Sequence, residues 1–260
     1  MQDERYAKAK EWVLHCGVIL REASVKNVGW SNKTSNRDIV STYDARIEEY
    51  LLGKISKHFP CDAVVGEELG TNGEGRSVWY IDPIDGTANF VGQHRNFAVS
   101  VGFYQDGHYV FGLVLDVASN LLYHAYAGEG AWRNGVRIHA RTSCPLPECF
   151  LYVPMLYPDI LAPSDIHSRL LNVAAQVRAV RSLGSIALEM CILAEGKADI
   201  FIAIRSNPWD HNAARLILAE AGGAVCTLEG KELPINENST VLACGDKVLL
   251  ETIADVFRKQ

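Results

Sequence analysis

Four times along this chain, carboxylates stand where an apolar stretch begins or ends. Trp79-Tyr80-Ile81-Asp82-Pro83-Ile84-Asp85-Gly86-Thr87 runs a hydrophobic segment straight into two aspartates three positions apart, followed by Gly-Thr. Two carboxylates leaving one strand end together can share hard, oxygen-seeking cations. Gly86 lets a backbone approach a ligand closely. Thr87 is read as the cap of a helix starting there, with free N–H groups turned toward an anion. Val64-Val65-Gly66-Glu67-Glu68 is a second apolar stretch ending in acids. Asn207-Pro208-Trp209-Asp210 opens a third segment. There Asn207 suits an N-cap, Pro208 the first helical position, and Asp210 the first turn, where the helix dipole favours negative charge. Asp38 and Asp44 bracket the fourth, at a helix start. Each signal alone is also explained by a strand end, a turn or a helix cap. Together they are the ingredients of a site for two divalent cations about 4 Å apart, an arrangement used in phosphoryl transfer.

The elements that must carry these residues follow from periodicity. Ala9, Val13, Cys16, Gly17 and Leu20 recur at helical spacing and predict a helix over 5–26. The polar run Ser31 to Arg37 predicts a loop or solvated hairpin, and a second helix is expected over Thr42–Lys57. Strands are expected at 63–65, 77–81, 97–103, 109–115 and 121–126, with Pro83 stopping the second of them. Asp106-Gly107, Ser119-Asn120 and Asn134-Gly135 are turn signals. Pro145, Pro147, Pro154, Pro158 and Pro163 predict a seam near residue 142, dividing an N-terminal half (1–141) holding most of the acids from a C-terminal half (142–260). Beyond it, helices are expected at 165–177, 185–195 and 208–221, a strand at 199–204, and strands at the C-terminal end. The mixture predicts an α+β architecture of layered sheets and helices.

Bulk properties narrow the function. The 260 residues carry a net charge of -6 with no basic stripe, which argues against nucleic-acid binding. No run approaches the ~20 apolar residues of a membrane span, and the charged N-terminus does not read as a signal peptide. Seven cysteines, an odd number with no C-x-x-C pair, are read as reduced, mostly buried thiols of a cytoplasmic protein. No G-x-G-x-x-G follows a strand, which sets aside a dinucleotide-dependent oxidoreductase.

With these residues in place, the sequence resembles the inositol monophosphatase family of magnesium-dependent, lithium-sensitive sugar phosphatases. The resemblance rests on Gly66-Glu67-Glu68, on Asp82-Pro83-Ile84-Asp85-Gly86-Thr87-Ala88-Asn89-Phe90, and on Trp209-Asp210 leading to Glu220-Ala221-Gly222-Gly223. Lys33, Asp38, Asp44, the stretch Gly130 to Gly135 and Arg181-Ser182-Leu183-Gly184-Ser185 support it in the same order. It implies an αβαβα sandwich of the inositol monophosphatase/fructose-1,6-bisphosphatase type, in a homodimer. It implies that Glu67, Asp82 and the Ile84 carbonyl hold one Mg2+, that Asp82, Asp85 and Asp210 hold a second, and that Glu67 assists a third. Mn2+ would substitute, while Ca2+ and Li+ would inhibit. Asp44 and Thr87 would orient and deprotonate the attacking water. Asp85, Gly86, Thr87, Gly184, Ser185, Arg205 and Asp210 would line the substrate, a small phosphate ester.

The sequence departs from the animal members at Ala203, seven residues before Asp210, where they carry a glutamate contacting inositol hydroxyls. Arg205 nearby is either a surface residue or a partner for a second phosphate. His211 is either structural, solvent-facing or at the site rim. The substrate expected is inositol monophosphate or a related sugar or polyol phosphate. Fructose 1,6-bisphosphate, NADP and 3′-phosphoadenosine phosphates are the alternatives, with residues 157–168 and 203–211 expected to decide. A non-catalytic regulatory homologue is the reading from another class.

Overall fold

Structure is described for residues 4–24, 29–32, 39–142, 144–154 and 164–258 of this computed structural model. Lys33, Asp38, Pro158, Pro163 and most of the segments 31–37 and 157–168 lie outside the described residues.

The two N-terminal helices form where apolar spacing predicts them, as α1 (Glu4–Ser24) and α2 (Thr42–His58). Between them β1 (Trp30–Asn32) and β2 (Ile39–Ser41) make a small antiparallel pair. The next strands are β3 (Ala63–Gly66), β4 (Thr71–Asn72), β5 (Ser77–Asp85), β6 (Ala98–Gln105), β7 (His108–Asp116), β8 (Leu121–Tyr126), β9 (Ala131–Arg133) and β10 (Val136–Ile138). They build one sheet in the order β10-β9-β8-β7-β6-β5-β3-β4. Its hairpin β9–β10 turns at Asn134 (φ 46°) and Gly135 (φ 80°), the paired left-handed conformation that Asn-Gly accepts at low cost.

The C-terminal half supplies β11 (Phe150–Tyr152), α4 (Asp165–Gln176), β12 (Ala179–Arg181), α5 (Ile186–Ala194), β13 (Ile200–Ser206), α6 (Pro208–Glu220), β14 (Ala224–Cys226), β15 (Ser239–Cys244) and α7 (Lys247–Arg258). Its strands form a second sheet, β12-β11-β13-β15-β14. No strand of either sheet crosses residue 142 among the described residues.

Alternation along the strands decides what fills each layer. On β7, Leu113 and Leu115 face the core under α1 and α2, while Val114 faces α5 and α6. On β13, Phe201 and Ala203 face α5 and α6, while Ile200 and Ile202 face α4 and α7. Three apolar cores therefore stack, and the architecture is an αβαβα layered α+β fold.

Three local expectations are corrected. Pro83 does not stop β5, which runs on to Asp85 and pairs it with Ala98. The parallel neighbour β3 ends at Gly66 opposite Ile81, and the pairing with β6 shifts register between Asp82 and Asp85. Proline is tolerated at such an irregularity, where its missing N–H is not needed. Thr87 is not the cap of the short helix α3 (Thr87–Gly92) but its first residue; the cap position is Gly86. Finally, the chain ends in α7 as well as terminal strands. Leu249, Leu250, Ile253 and Ala254 form its buried stripe at helical spacing.

Candidate active site

The site gathers at the C-terminal ends of β3, β5 and β13, beside the first turn of α2. Asp44 enters from α2 and is fully buried. Its Oδ2 accepts from the Ser41 amide (2.8 Å) and hydroxyl (2.6 Å), a capping box that fixes the carboxylate. Its Oδ1 faces the Thr87 hydroxyl at 2.8 Å. That hydroxyl also lies 3.0 Å from the Ile84 carbonyl. It has one proton, so it donates to one of the two at a time. Burial raises the Asp44 carboxyl, opposed by the Ser41 and Thr87 donors and reinforced by Glu68.

Asp82 and Asp85 leave the irregular end of β5. Asp82 Oδ1 accepts from the Ile84 amide at 3.0 Å. Asp85 reaches into the C-terminal half and accepts from the Ser185 hydroxyl (2.6 Å) and the amides of Ala187 (2.7 Å) and Ile186 (3.2 Å). It thereby caps the first turn of α5 across the seam. Gly86 follows with φ 94°, and a Cβ there would stand 3.0 Å from the Asn96 carbonyl and 3.1 Å from that of Gly184. Only glycine combines that dihedral with that approach.

Asp210 occupies the N3 position of α6, as its spacing from Asn207 predicts, and its Oδ2 accepts from the Asn207 amide at 2.7 Å. Glu67 lies half-buried just past β3. Asp82, Asp85 and Asp210 are all under 10% exposed, and none is paired with a Lys or Arg among the described residues. Burial, then the neighbouring carboxylates Glu67, Asp85, Asp210 and Asp44, push the Asp82 carboxyl far up. Burial pushes Asp85 up to about 6 against its capping donors, and Asp210 up to about 8 with help from Asp85 and Glu67.

Three buried, mutually repelling carboxylates, Asp82, Asp85 and Asp210, with no Lys or Arg partner among the described residues, fit divalent cations of the magnesium type. Among the described residues, the group of His, Cys, Asp and Glu donors that closes within 4.8 Å is a different one, Cys144, Cys149 and Asp199.

Residues that periodicity does not announce hold the site together. Glu48, fully buried one turn beyond Asp44 on α2, accepts from the amides of Glu68 and Leu69, both at 2.8 Å. A Cβ on Gly66 would stand 2.0 Å from its Oε1, so a larger residue where β3 passes this carboxylate must displace it from its hydrogen bonds. Glu189, fully buried on α5, accepts from the amides of Leu183 (2.5 Å) and Gly184 (3.1 Å), and burial pushes it up to about 8. Asn89 Nδ2 donates to the carbonyls of Asn96 (2.8 Å) and Leu183 (2.7 Å), tying α3 to the loop before α5. The sequence signal for Glu48 and Glu189 is an acid at a core-facing position of an otherwise apolar helix stripe.

The other candidates sort by exposure. Gly184 is exposed and Ser185 buried at the N-cap of α5. Arg205 is exposed near the end of β13. Ala203 is buried in the core between the sheets. His211 is structural: fully buried, with Nδ1 2.9 Å from the Ser206 hydroxyl and a titration point that burial lowers to about 4.

Comparison with known proteins shows the family and the fold. A family model described as the inositol monophosphatase family matches residues 1–260. Inositol-1-monophosphatase of Bacillus subtilis is 34% identical over 256 residues, covering 96% of this chain and 94% of that protein. A Thermotoga maritima protein described as fructose-1,6-bisphosphatase/inositol-1-monophosphatase is 36% identical over 200 residues, 77% of this chain and 75% of its own. The crystal structure of extragenic suppressor protein suhB from Bartonella henselae superposes with a TM-score of 0.90 at 26% identity, covering 99% of each chain.

Proposed function

The chain belongs to the inositol monophosphatase family, a family of phosphatases, and from that premise we propose that it hydrolyses inositol monophosphate or a closely related polyol phosphate with Mg2+. The observation that carries this reading is the Thr87–Asp44 contact set beside three buried carboxylates that have no Lys or Arg partner among the described residues.

In this reading Glu67, Asp82 and the Ile84 carbonyl hold one Mg2+, and Asp82, Asp85 and Asp210 hold another, with Glu67 assisting a third. Bound Mg2+ lowers the pKa of attached water and offsets charge on the phosphoryl oxygens. The chain's own part is positional. If the Ile84 carbonyl served as a cation ligand, the single Thr87 hydroxyl proton would go to Asp44 Oδ1. The Thr87 oxygen then accepts from the attacking water, and the water's proton is relayed to Asp44, whose basicity burial has raised. The Gly86 and Thr87 amides, first-turn donors of α3, face the phosphate. Glu189 and Asn89 fix the Leu183–Gly184 loop against which the substrate rests, with Gly184 and Ser185 at its edge.

A second reading, on a substrate with two phosphates, is favoured by one position: Arg205 is exposed near the end of β13, while Ala203 is packed in the core. The Thermotoga relative's double description accords with it. The halves 1–141 and 142–260 act as one unit in either case, because Asp85 and Asn89 bond across the seam. Seven free cysteines support a reducing, cytoplasmic setting, and no helix among the described residues is long and apolar enough to cross a membrane. The family resemblance supports a homodimer, Mn2+ as a substitute, and inhibition by Ca2+ and Li+.

The test is phosphate release from inositol 1-phosphate, fructose 1,6-bisphosphate, NADP and 3′-phosphoadenosine 5′-phosphate, with and without Mg2+, by the native protein and Asp85→Asn. Magnesium-dependent turnover, down roughly a thousandfold in the variant, is expected. A folded native protein inert on the whole panel would support a non-catalytic role instead.

A further inference from the structure

A second cluster of metal-ligating side chains lies at the opposite end of the small sheet. Cys144 and Cys149 flank the short turn that leads into β11, and Asp199 immediately precedes β13. β11 and β13 run parallel, so their N-terminal ends bring the three residues together. The two Sγ atoms are 3.3 Å apart, Cys144 Sγ is 3.5 Å from Asp199 Oδ1, and one donor atom from each residue fits within 4.8 Å of the others. Asp210 follows the far end of β13, and at about 3.3 Å per residue that strand separates the two sites by roughly 20 Å. The cluster is therefore independent of the acidic centre.

From this geometry we propose that Cys144, Cys149 and Asp199 form a binding site for one thiophilic divalent cation of the Zn2+ type. Zinc–sulfur bonds of about 2.3 Å at a tetrahedral angle place two thiolates about 3.8 Å apart, so the observed pair needs only a small separation. Three protein ligands leave one position open, toward the half-exposed Cys144 side; Cys149 itself is fully buried. Asp199 is already shaped as a ligand: its Oδ2 accepts from the Phe150 amide at 2.7 Å, and Oδ1 faces the thiols. Arg141 Nη1 stands 3.4 Å from that Oδ1 and is 43% exposed, so it can swing into solvent when a dication takes its place.

A disulfide switch is the competing use of two adjacent thiols, and the electrostatics disfavour it. Reactive thiols sit in electropositive surroundings that favour the thiolate. Here the charged group facing the thiols is the Asp199 carboxylate, 3.5 Å from Cys144 Sγ, with Arg141 held on that carboxylate. A carboxylate beside two thiols hinders oxidation but completes a cation's ligand set, and a coordinating thiol gives up its proton on binding.

The experiment is titration of the full-length, reduced protein with Cd2+, following the ultraviolet sulfur-to-cadmium charge-transfer band. The carboxylate site cannot produce that band. Native protein is expected to show one equivalent, with Zn2+ competing, and Asp85→Asn to titrate identically. Cys144→Ser, at the half-exposed position, should lose the band while keeping native Mg2+-dependent turnover and thermal midpoint. Asp199→Asn should weaken Cd2+ binding by at least about tenfold. No band in the native protein, or an undiminished band in Cys144→Ser, would overturn the proposal. So would isolation of the pair as a disulfide that blocks titration until it is reduced, or unchanged affinity in a folded Asp199→Asn.

Discussion

The Thr87 hydroxyl and Asp44 Oδ1 meet at 2.8 Å although 43 residues separate them in the chain. One begins α3; the other lies in the first turn of α2, where a capping box with Ser41 fixes it. If this contact carries the proton, Thr87→Val and Asp44→Asn should each lower kcat by about 10²–10⁴-fold with little change in KM. Steady-state kinetics at saturating Mg2+ on variants that retain the native circular dichroism spectrum check this. Native kcat in Thr87→Val would remove the relay.

Glu48 holds the Glu68–Leu69 turn, directly after Glu67, through two amides. Glu48→Ala removes that acceptor from both N–H groups and loosens the turn that follows Glu67. The Mg2+ concentration for half-maximal activity is expected to rise by roughly 10–100-fold, as losing an outer-shell partner does. Gly66→Ala, forced against the Glu48 carboxylate, should cost about 1–3 kcal/mol in urea unfolding.

Asp210 and Glu189 are both pushed up to about 8, first by burial. Their unfolded values are about 3.9 and 4.3, so between these and about 8 the folded chain holds protons that the unfolded chain has released. Stability must then fall as pH rises toward about 8. Above about 6.5 the buried histidines are neutral in both states and do not obscure the trend. Thermal midpoints in chelator should drop across this window, and Mg2+ should flatten the drop by taking the ionised Asp82 and Asp210. The slope that remains belongs to Glu189 together with Asp44, and should shrink in Glu189→Gln. Equal slopes with and without Mg2+ would separate Asp210 from the metal.

Arg205→Ala discriminates the two substrate readings. If the exposed guanidinium receives a second phosphate, KM for fructose 1,6-bisphosphate should rise about tenfold or more, the worth of one hydrogen bond to a charged group. Turnover of inositol 1-phosphate should stay within about twofold, since surface changes away from the reacting groups cost little. Equal effects on both substrates would return Arg205 to a plain surface role.

Much of this molecule was legible in the chain itself. Alternating and helical periodicities located α1, α2, the hairpin strands and α6, because burying one face of each element imposes those repeats. Asn207-Pro208-x-Asp210 specified a helix start outright, since capping is a local event of four residues. The acids at the ends of β3 and β5 and at the start of α6 drew attention as a candidate cation site, and the family the sequence resembles is the one its comparisons show. The tertiary structure alone decided the contacts between distant segments. It carried β5 through Pro83, because the parallel neighbour had already ended. It turned Asp85 into a cap for α5, and it set Glu48 and Glu189 under the site loops. It also brought Asp199 to Cys144 and Cys149 through the parallel register of β11 and β13. Sequence periodicity reports which face of an element is buried; which polar groups meet there depends on how the elements pack, and that is fixed only when the layers close.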